Sequence, residues 1–143
     1  MFRQLTESVF ASPQIDLAQV AEAANASFAL IVNNRPEDES DDQTPGPEIE
    51  AAARAAGMDY VAIPVTHAGF SEGQVTAMAK ALSEARGPVL AYCRSGTRST
   101  LLWALAQARS GMTPDDIAAK AADAGYDISP IRATVDMLAA QAG

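Results

Sequence analysis

Three short apolar runs stand out along the chain. Phe28-Ala29-Leu30-Ile31-Val32 ends at Asn33-Asn34, Tyr60-Val61-Ala62-Ile63 stops at Pro64, and Val89-Leu90-Ala91-Tyr92 lies between Gly87-Pro88 and Cys93. Each is apolar at successive positions and bounded by breakers, which predicts strands buried on both faces. A weaker run around Ser8 to Ala11 predicts one more strand, at a sheet edge. Helix-forming stretches separate the runs at residues 16–26, 47–56 and 71–85, and three more helices follow the last strand. Gly57, Gly87, Gly111 and Gly125 each follow such a stretch, the position of a glycine that ends a helix. Thr113-Pro114-Asp115-Asp116 reads as an N-cap, a proline in the first helical position and acids in the first turn. Ser129-Pro130 repeats the cap-then-proline pattern for a last helix. Strands alternating with helices imply an α/β fold: a mostly parallel sheet of four or five strands flanked by helices, with the extra C-terminal helices on one side.

The connection at residues 35–47 breaks the pattern. It holds Glu37, Asp38, Glu39, Asp41 and Asp42 among Ser, Thr, Gln, Pro and Gly. Such a composition predicts a solvated, mobile segment, with a lid or docking loop as the functional alternative.

Composition narrows the possible functions. A length of 143 residues predicts one domain over 1–143, large enough for a core without staples. The net charge of -8 opposes nonspecific nucleic-acid binding and binding to an anionic membrane, both of which need a basic face. Neither nucleic acid nor membrane is therefore expected as a partner. One cysteine excludes an intrachain disulfide, and one histidine beside it cannot make a structural zinc site, so no metal or cofactor is expected. The lone thiol fits a reducing compartment, and the first fourteen residues carry no apolar core of a secretory leader. A cytoplasmic location is the expectation.

The chemistry concentrates after the third of those runs, in Cys93-Arg94-Ser95-Gly96-Thr97-Arg98-Ser99-Thr100. A buried strand ends at Cys93, and a helix is predicted from near Ser99, apolar around much of its circumference through Leu101, Leu102, Trp103, Ala104, Leu105 and Ala106. Ligands of open α/β sheets bind beyond the carboxyl ends of strands, and free N–H groups at a helix start attract anions. Together with Arg94 and Arg98 they favour thiolate over thiol. Gly96 lets several N–H groups turn toward one point. Ser99 or Thr100 can bond the sulfur or cap the helix. Such a cradle suits attack on an electrophile that carries oxyanions, either a phosphate ester or a sulfane donor. The bland alternative is a buried structural cysteine beside two incidental arginines. Trp103 and Met78 fit core packing, and Tyr92 is either a pocket wall or a core tyrosine.

The chain resembles the phosphatase-like domain of the beta-lactamase-hydrolase-like family, a bacterial branch of the cysteine-dependent dual-specificity phosphatase fold. The resemblance rests on Gln4-Leu5-Thr6, Ile31-Val32-Asn33-Asn34-Arg35-Pro36, Tyr60-Val61-Ala62-Ile63-Pro64-Val65 and Ala91-Tyr92-Cys93-Arg94-Ser95-Gly96-Thr97-Arg98-Ser99, in that order. It implies a cysteine-phosphatase-like fold with Cys93 as nucleophile and Arg98 on the substrate oxyanion. Arg94, Ser95, Gly96, Thr97 and Ser99 would form the rest of the anion site, and Arg35 would brace the loop region or contribute to binding. The substrate would be a small anion or a phosphorylated partner. Fused family members imply a separate metallo-hydrolase as a working partner.

This chain departs from the phosphatase pattern in three ways. Four residues, not five, separate Cys93 from Arg98, a spacing like that of a rhodanese loop. Tyr92 stands where a histidine usually precedes the cysteine. The segment from Pro64 to Gly73, where a general-acid aspartate is expected, holds none; His67 and Glu72 are its titrating residues. His67 has a suitable ordinary pKa for an acid, whereas Glu72 reads as a helix-start residue. Three functions follow: a cysteine-dependent phosphatase-like hydrolase, a sulfurtransferase carrying a Cys93 persulfide, and a noncatalytic anion-binding module.

Overall fold

The computed structural model describes residues 2–142. Its sheet has five strands: β1 (Arg3–Gln4), β2 (Val9–Ser12), β3 (Leu30–Asn33), β4 (Asp59–Ala62) and β5 (Val89–Tyr92), in the spatial order β1-β2-β5-β3-β4. Every pairing is parallel except β1 with β2. The helices are α1 (Leu17–Asn25), α2 (Gly46–Ala55), α3 (Glu72–Glu84), α4 (Thr97–Arg109), α5 (Pro114–Asp123) and α6 (Arg132–Ala142). The expected mostly parallel α/β sheet flanked by helices is what forms.

Alternation along the strands divides the core. Leu30 and Val32 of β3, with Val89 and Ala91 of β5, face one side of the sheet; Ile31, Leu90 and Tyr92 face the other. The first side is filled by α4 and the helices around it, α3, α5 and α6, and holds Met78 and Trp103 completely buried. The second is closed by α1 and α2 through Val20, Ala23, Ile49 and Ala53. Helix α4 therefore lies between the sheet and an outer layer of helices, which explains why its sequence is apolar nearly all round.

Helix starts follow local chemistry. Asp16 and Ser71 each cap through a reciprocal box, with Gln19 and Gln74 respectively, and Thr113 caps α5 ahead of Pro114. Glu72 takes the first position of α3, where an acid complements the dipole.

Five expectations need correction. The run beginning at Tyr60 is not buried on both faces: β4 is an edge strand, with Tyr60 and Val61 half-buried and Asp59 and Ala62 exposed. The run from Ser8 to Ala11 is not an edge: Val9–Ser12 pairs with β5 on one side, and two residues of β1 cover the other. That hairpin was invisible because Arg3–Gln4 is polar and too short for a periodic signal. Gly87 does not end a helix in the left-handed region, unlike Gly57, Gly111 and Gly125. Helix α3 stops at an extended Ala85, and Gly87 is instead packed closely over Ala29. Ser129-Pro130 opens a 3-10 turn, Ser129–Ile131, rather than capping α6 directly. Finally, α4 begins at Thr97, not near Ser99.

Candidate active site

Cys93 follows the last residue of β5, and its N–H bonds the Ser12 carbonyl at 3.4 Å. Central position in the sheet thus fixes where the sulfur sits. The chain then turns through Gly96, which has φ of 91° and serves as N-cap of α4 without a side-chain bond. A left-handed residue is required at this position, so glycine avoids the strain another residue would carry. The turn aims the Gly96 N–H at Cys93 Sγ, 3.1 Å away. Starting the helix two residues early places Arg98 in its first turn. Neither candidate cap acts as one: Thr100 Oγ1 donates back to the Gly96 carbonyl at 2.9 Å, and Ser99 Oγ is buried without a protein partner.

The loop is well supplied with free donors. Among the described residues, the N–H groups of Arg94, Ser95, Arg98 and Ser99 have no protein acceptor, whereas the Thr97 N–H bonds Ser95 Oγ at 3.3 Å. Ser95 Oγ lies 3.0 Å from Thr97 Oγ1. Unpaired N–H groups around a strand end and a helix start make an anion-binding site. Cys93 itself is 0% exposed, so the sulfur forms the floor of this site rather than its rim. A cleft of about 710 Å³ lies elsewhere, where α4 and α6 meet the start of α3.

The acidic connection is solvated in part, with Glu37, Asp38, Asp41 and Asp42 exposed, but it is bonded in place rather than loose. It folds over the site and supplies a residue the sequence did not reveal, Glu39. Its carboxylate receives Arg98 Nη1 at 2.7 Å and Nη2 at 2.9 Å, and Arg35 Nε at 2.8 Å. Arg35 is held further by Gln14 Oε1 and Ser40 Oγ, each at 3.0 Å. Within the same segment the Glu37 carboxylate accepts from the Gly46 N–H at 2.8 Å, giving α2 its first bond without a capping side chain at Pro45. Two arginines that are almost fully buried need a counter-charge, and Glu39 answers both. Arg98, opposed by burial but assisted next by Arg35, draws the Glu39 pKa down from 4.5 to about 2. Only that need for a counter-ion could have pointed to Glu39, and it does not separate one acid from five.

Arg98 also donates from Nη1 to the Val65 carbonyl at 2.7 Å. Its five N–H hydrogens can then be counted. Glu39 takes one from each terminal nitrogen, and Val65 takes the second from Nη1. The Nε hydrogen and one Nη2 hydrogen remain, side by side on one edge of the guanidinium. This is the fork that grips an oxyanion at two points. Glu39 raises the Arg98 pKa, burial opposes it, and the nearby Cys93 acts in the same direction as Glu39, so the guanidinium and the sulfur lie within reach of each other.

The remaining candidates separate. Arg35 serves as a brace, its guanidinium committed to Glu39, Gln14 and Ser40. Arg94 is exposed, with its carbonyl accepting from the Gln14 N–H at 3.2 Å. His67 is exposed two residues beyond Val65 and bonds no described residue. Tyr92 is no pocket wall: it points to the α1–α2 side of the sheet, where burial drives its pKa up. No described residues group three or more potential ligands as a metal would require.

A mostly parallel sheet thus ends its central strand at Cys93, beside free backbone N–H groups and the Arg98 guanidinium. The chain belongs to the family described as "Beta-lactamase hydrolase-like protein, phosphatase-like domain", which matches residues 1–110. A candidate phosphatase of Neisseria meningitidis Z2491 superposes with a TM-score of 0.83 at 32% identity, covering 95% of this chain and 96% of that one. A candidate phosphatase of Shewanella putrefaciens CN-32 gives 0.78 at 25% identity, covering 99% and 93%. The beta-lactamase hydrolase-like protein of Agrobacterium fabrum strain C58 is 34% identical over 108 residues, 76% of this chain. The chain spans about a quarter of that relative's length. No helix among the described residues is long and apolar enough to cross a membrane.

Proposed function

We propose that this chain is a cysteine-dependent phosphatase acting on phosphate monoesters. The observation that carries the reading is the Arg98 fork left open by Glu39 and Val65, above a sulfur bonded by the Gly96 N–H. A phosphoryl group presents several anionic oxygens, and the cradle answers with the fork and four free backbone N–H groups. In the proposed reaction the Cys93 thiolate attacks phosphorus, a bond forms between sulfur and phosphorus, and the ester P–O bond breaks. The leaving oxygen carries off the electron pair and takes a proton. Water then attacks the phosphocysteine, releasing phosphate and restoring the thiolate. Exposed Arg94 supplies positive charge at the mouth of the site, against the net charge of -8 on the whole chain.

The four-residue spacing between Cys93 and Arg98 keeps sulfur transfer as the second reading. A paired assay separates them. With an aryl phosphate, phosphate release is expected; with thiosulfate and cyanide, no thiocyanate, and intact-mass spectrometry after thiosulfate shows no added sulfur. A stable persulfide without phosphate release would reverse the assignment. A reactive thiol with neither signal would leave an anion-binding module.

Two variants test the roles within the proposal. Arg98→Lys is expected to weaken inorganic phosphate binding and lower kcat/KM for an aryl phosphate on the order of 10²–10³-fold, the cost of an oxyanion donor. A lysine provides a point charge where two parallel N–H bonds are needed. Unchanged phosphate affinity by calorimetry would remove Arg98 from the site. The proposal also gives His67 the leaving-group proton, since its segment is tied to Arg98 through Val65. His67→Ala should then slow alkyl phosphates about 10²–10⁴-fold and aryl phosphates far less, because only poor leaving groups need the proton. Equal effects on both esters would take proton transfer away from His67.

A further inference from the structure

Tyr126 lies between α5 and the 3-10 turn, beyond residue 110 where the family match ends. It is buried, with Arg3 over its ring 5.2 Å from the centroid and Arg3 Nη1 bonded to the Ala124 carbonyl at 3.2 Å. Its hydroxyl donates to the Ser95 carbonyl at 3.0 Å. The ring is pressed against the cysteine loop: a Cβ at Gly96 would run into the Tyr126 hydroxyl and come within 2.9 Å of Cζ. Burial pushes the Tyr126 pKa up, which keeps the hydroxyl a donor through the neutral range.

The Ser95 carbonyl and the Gly96 N–H belong to one peptide unit. No peptide in the described chain is cis, and in a planar trans peptide these two groups point in opposite directions. One end of the unit is bonded to Tyr126 and the other to Cys93 Sγ. Glycine at 96 offers little steric resistance to rotation of this unit, so sterics alone do not hold it. A rotation would turn the carbonyl oxygen toward the sulfur and repel a thiolate. We infer that Tyr126 is a positioning residue for the nucleophile: by holding the Ser95 carbonyl outward, it keeps the Gly96 N–H on the Cys93 sulfur. A residue from the segment between α5 and the 3-10 turn thereby tunes the reactivity of a site built around β5 and α4.

This inference rests on Cys93 being the nucleophile, and its test separates the two claims. Alkylation by iodoacetamide is followed from pH 5.5 to 10 in the wild type and in Tyr126→Phe, which retains the ring. The variant is expected to react about 3–10-fold more slowly near pH 6.5, the worth of one hydrogen bond to the thiolate. It should converge with the wild type at pH 10, and its kcat for an aryl phosphate should fall more than its KM changes. An unchanged profile, a uniform slowing at every pH or a failure to fold would reduce Tyr126 to packing and overturn the inference while leaving the nucleophile reading intact. A wild-type thiol no more reactive at pH 6.5 than free cysteine would take both down.

Discussion

Cys93→Ser is expected to abolish hydrolysis of an aryl phosphate, a loss on the order of 10⁴-fold or more for removal of a nucleophile, while inorganic phosphate still binds with nearly unchanged affinity. The two outcomes separate because different atoms carry them. On the proposed reading the oxyanion is received by backbone N–H groups around Gly96 and by the open edge of Arg98, none of which the substitution removes. A serine hydroxyl, by contrast, needs a base to become a nucleophile. Glu39 is committed to two arginines, and exposed His67 bonds no described residue. Steady-state rates and calorimetry with phosphate check both halves. Retained turnover would remove Cys93 from the chemistry, and lost phosphate binding would show that the sulfur, not the backbone, organises the cradle.

Glu39→Gln has the second large effect, on stability and activity together. The ion pair holds the carboxyl at about 2 against its ordinary 4.5. At about 1.4 kcal/mol per pH unit, that difference is worth about 3 kcal/mol. A depressed acid stabilises the fold above its unfolded value and loses that contribution on protonation. The wild type should therefore lose about 3 kcal/mol as pH falls from 4.5 toward 2 on account of this group. Glu39→Gln should start about that much lower at neutral pH and lack this component of the acid dependence, as read by urea unfolding across pH. In turnover, removing the carboxylate frees Arg98 to rotate while making the site more positive. We expect kcat to fall about 100-fold, the cost of a misplaced group, with KM little changed. A rise in kcat/KM would mean that Glu39 competes with substrate rather than bracing Arg98.

The acidic segment marks the limit of what local pattern encodes. Asp and Glu among Ser, Gln and Pro have the composition of a solvated loop, and helical or strand periodicity is absent. The segment is nevertheless tied down through Glu37 to Gly46, Gln43 to Pro36, and Glu39 to two arginines, contacts that span up to 59 positions of sequence. No local pattern encodes a partner that distant. The same limit hid Tyr126, whose hydroxyl reaches back 31 positions to Ser95. It also hid β1, which is only two residues long and is defined by the strand it covers.

The sequence by itself determined the parts of this protein that depend on neighbours along the chain. Apolar runs bounded by breakers marked β3, β4 and β5. Caps at Ser71 and Thr113 set helix starts, because a cap bonds within three residues. The order Cys93, Gly96, Arg98 placed a thiol, a left-handed turn and a guanidinium where a strand gives way to a helix. Tertiary structure alone decided how those groups are aimed. Which edge of Arg98 stays open follows from Glu39 and Val65, and which way the Ser95–Gly96 peptide faces follows from Tyr126. The physical reason is that a buried charge or a rotatable peptide takes its orientation from whatever partner the fold brings within about 3 Å, and that partner carries no signature at its own place in the chain.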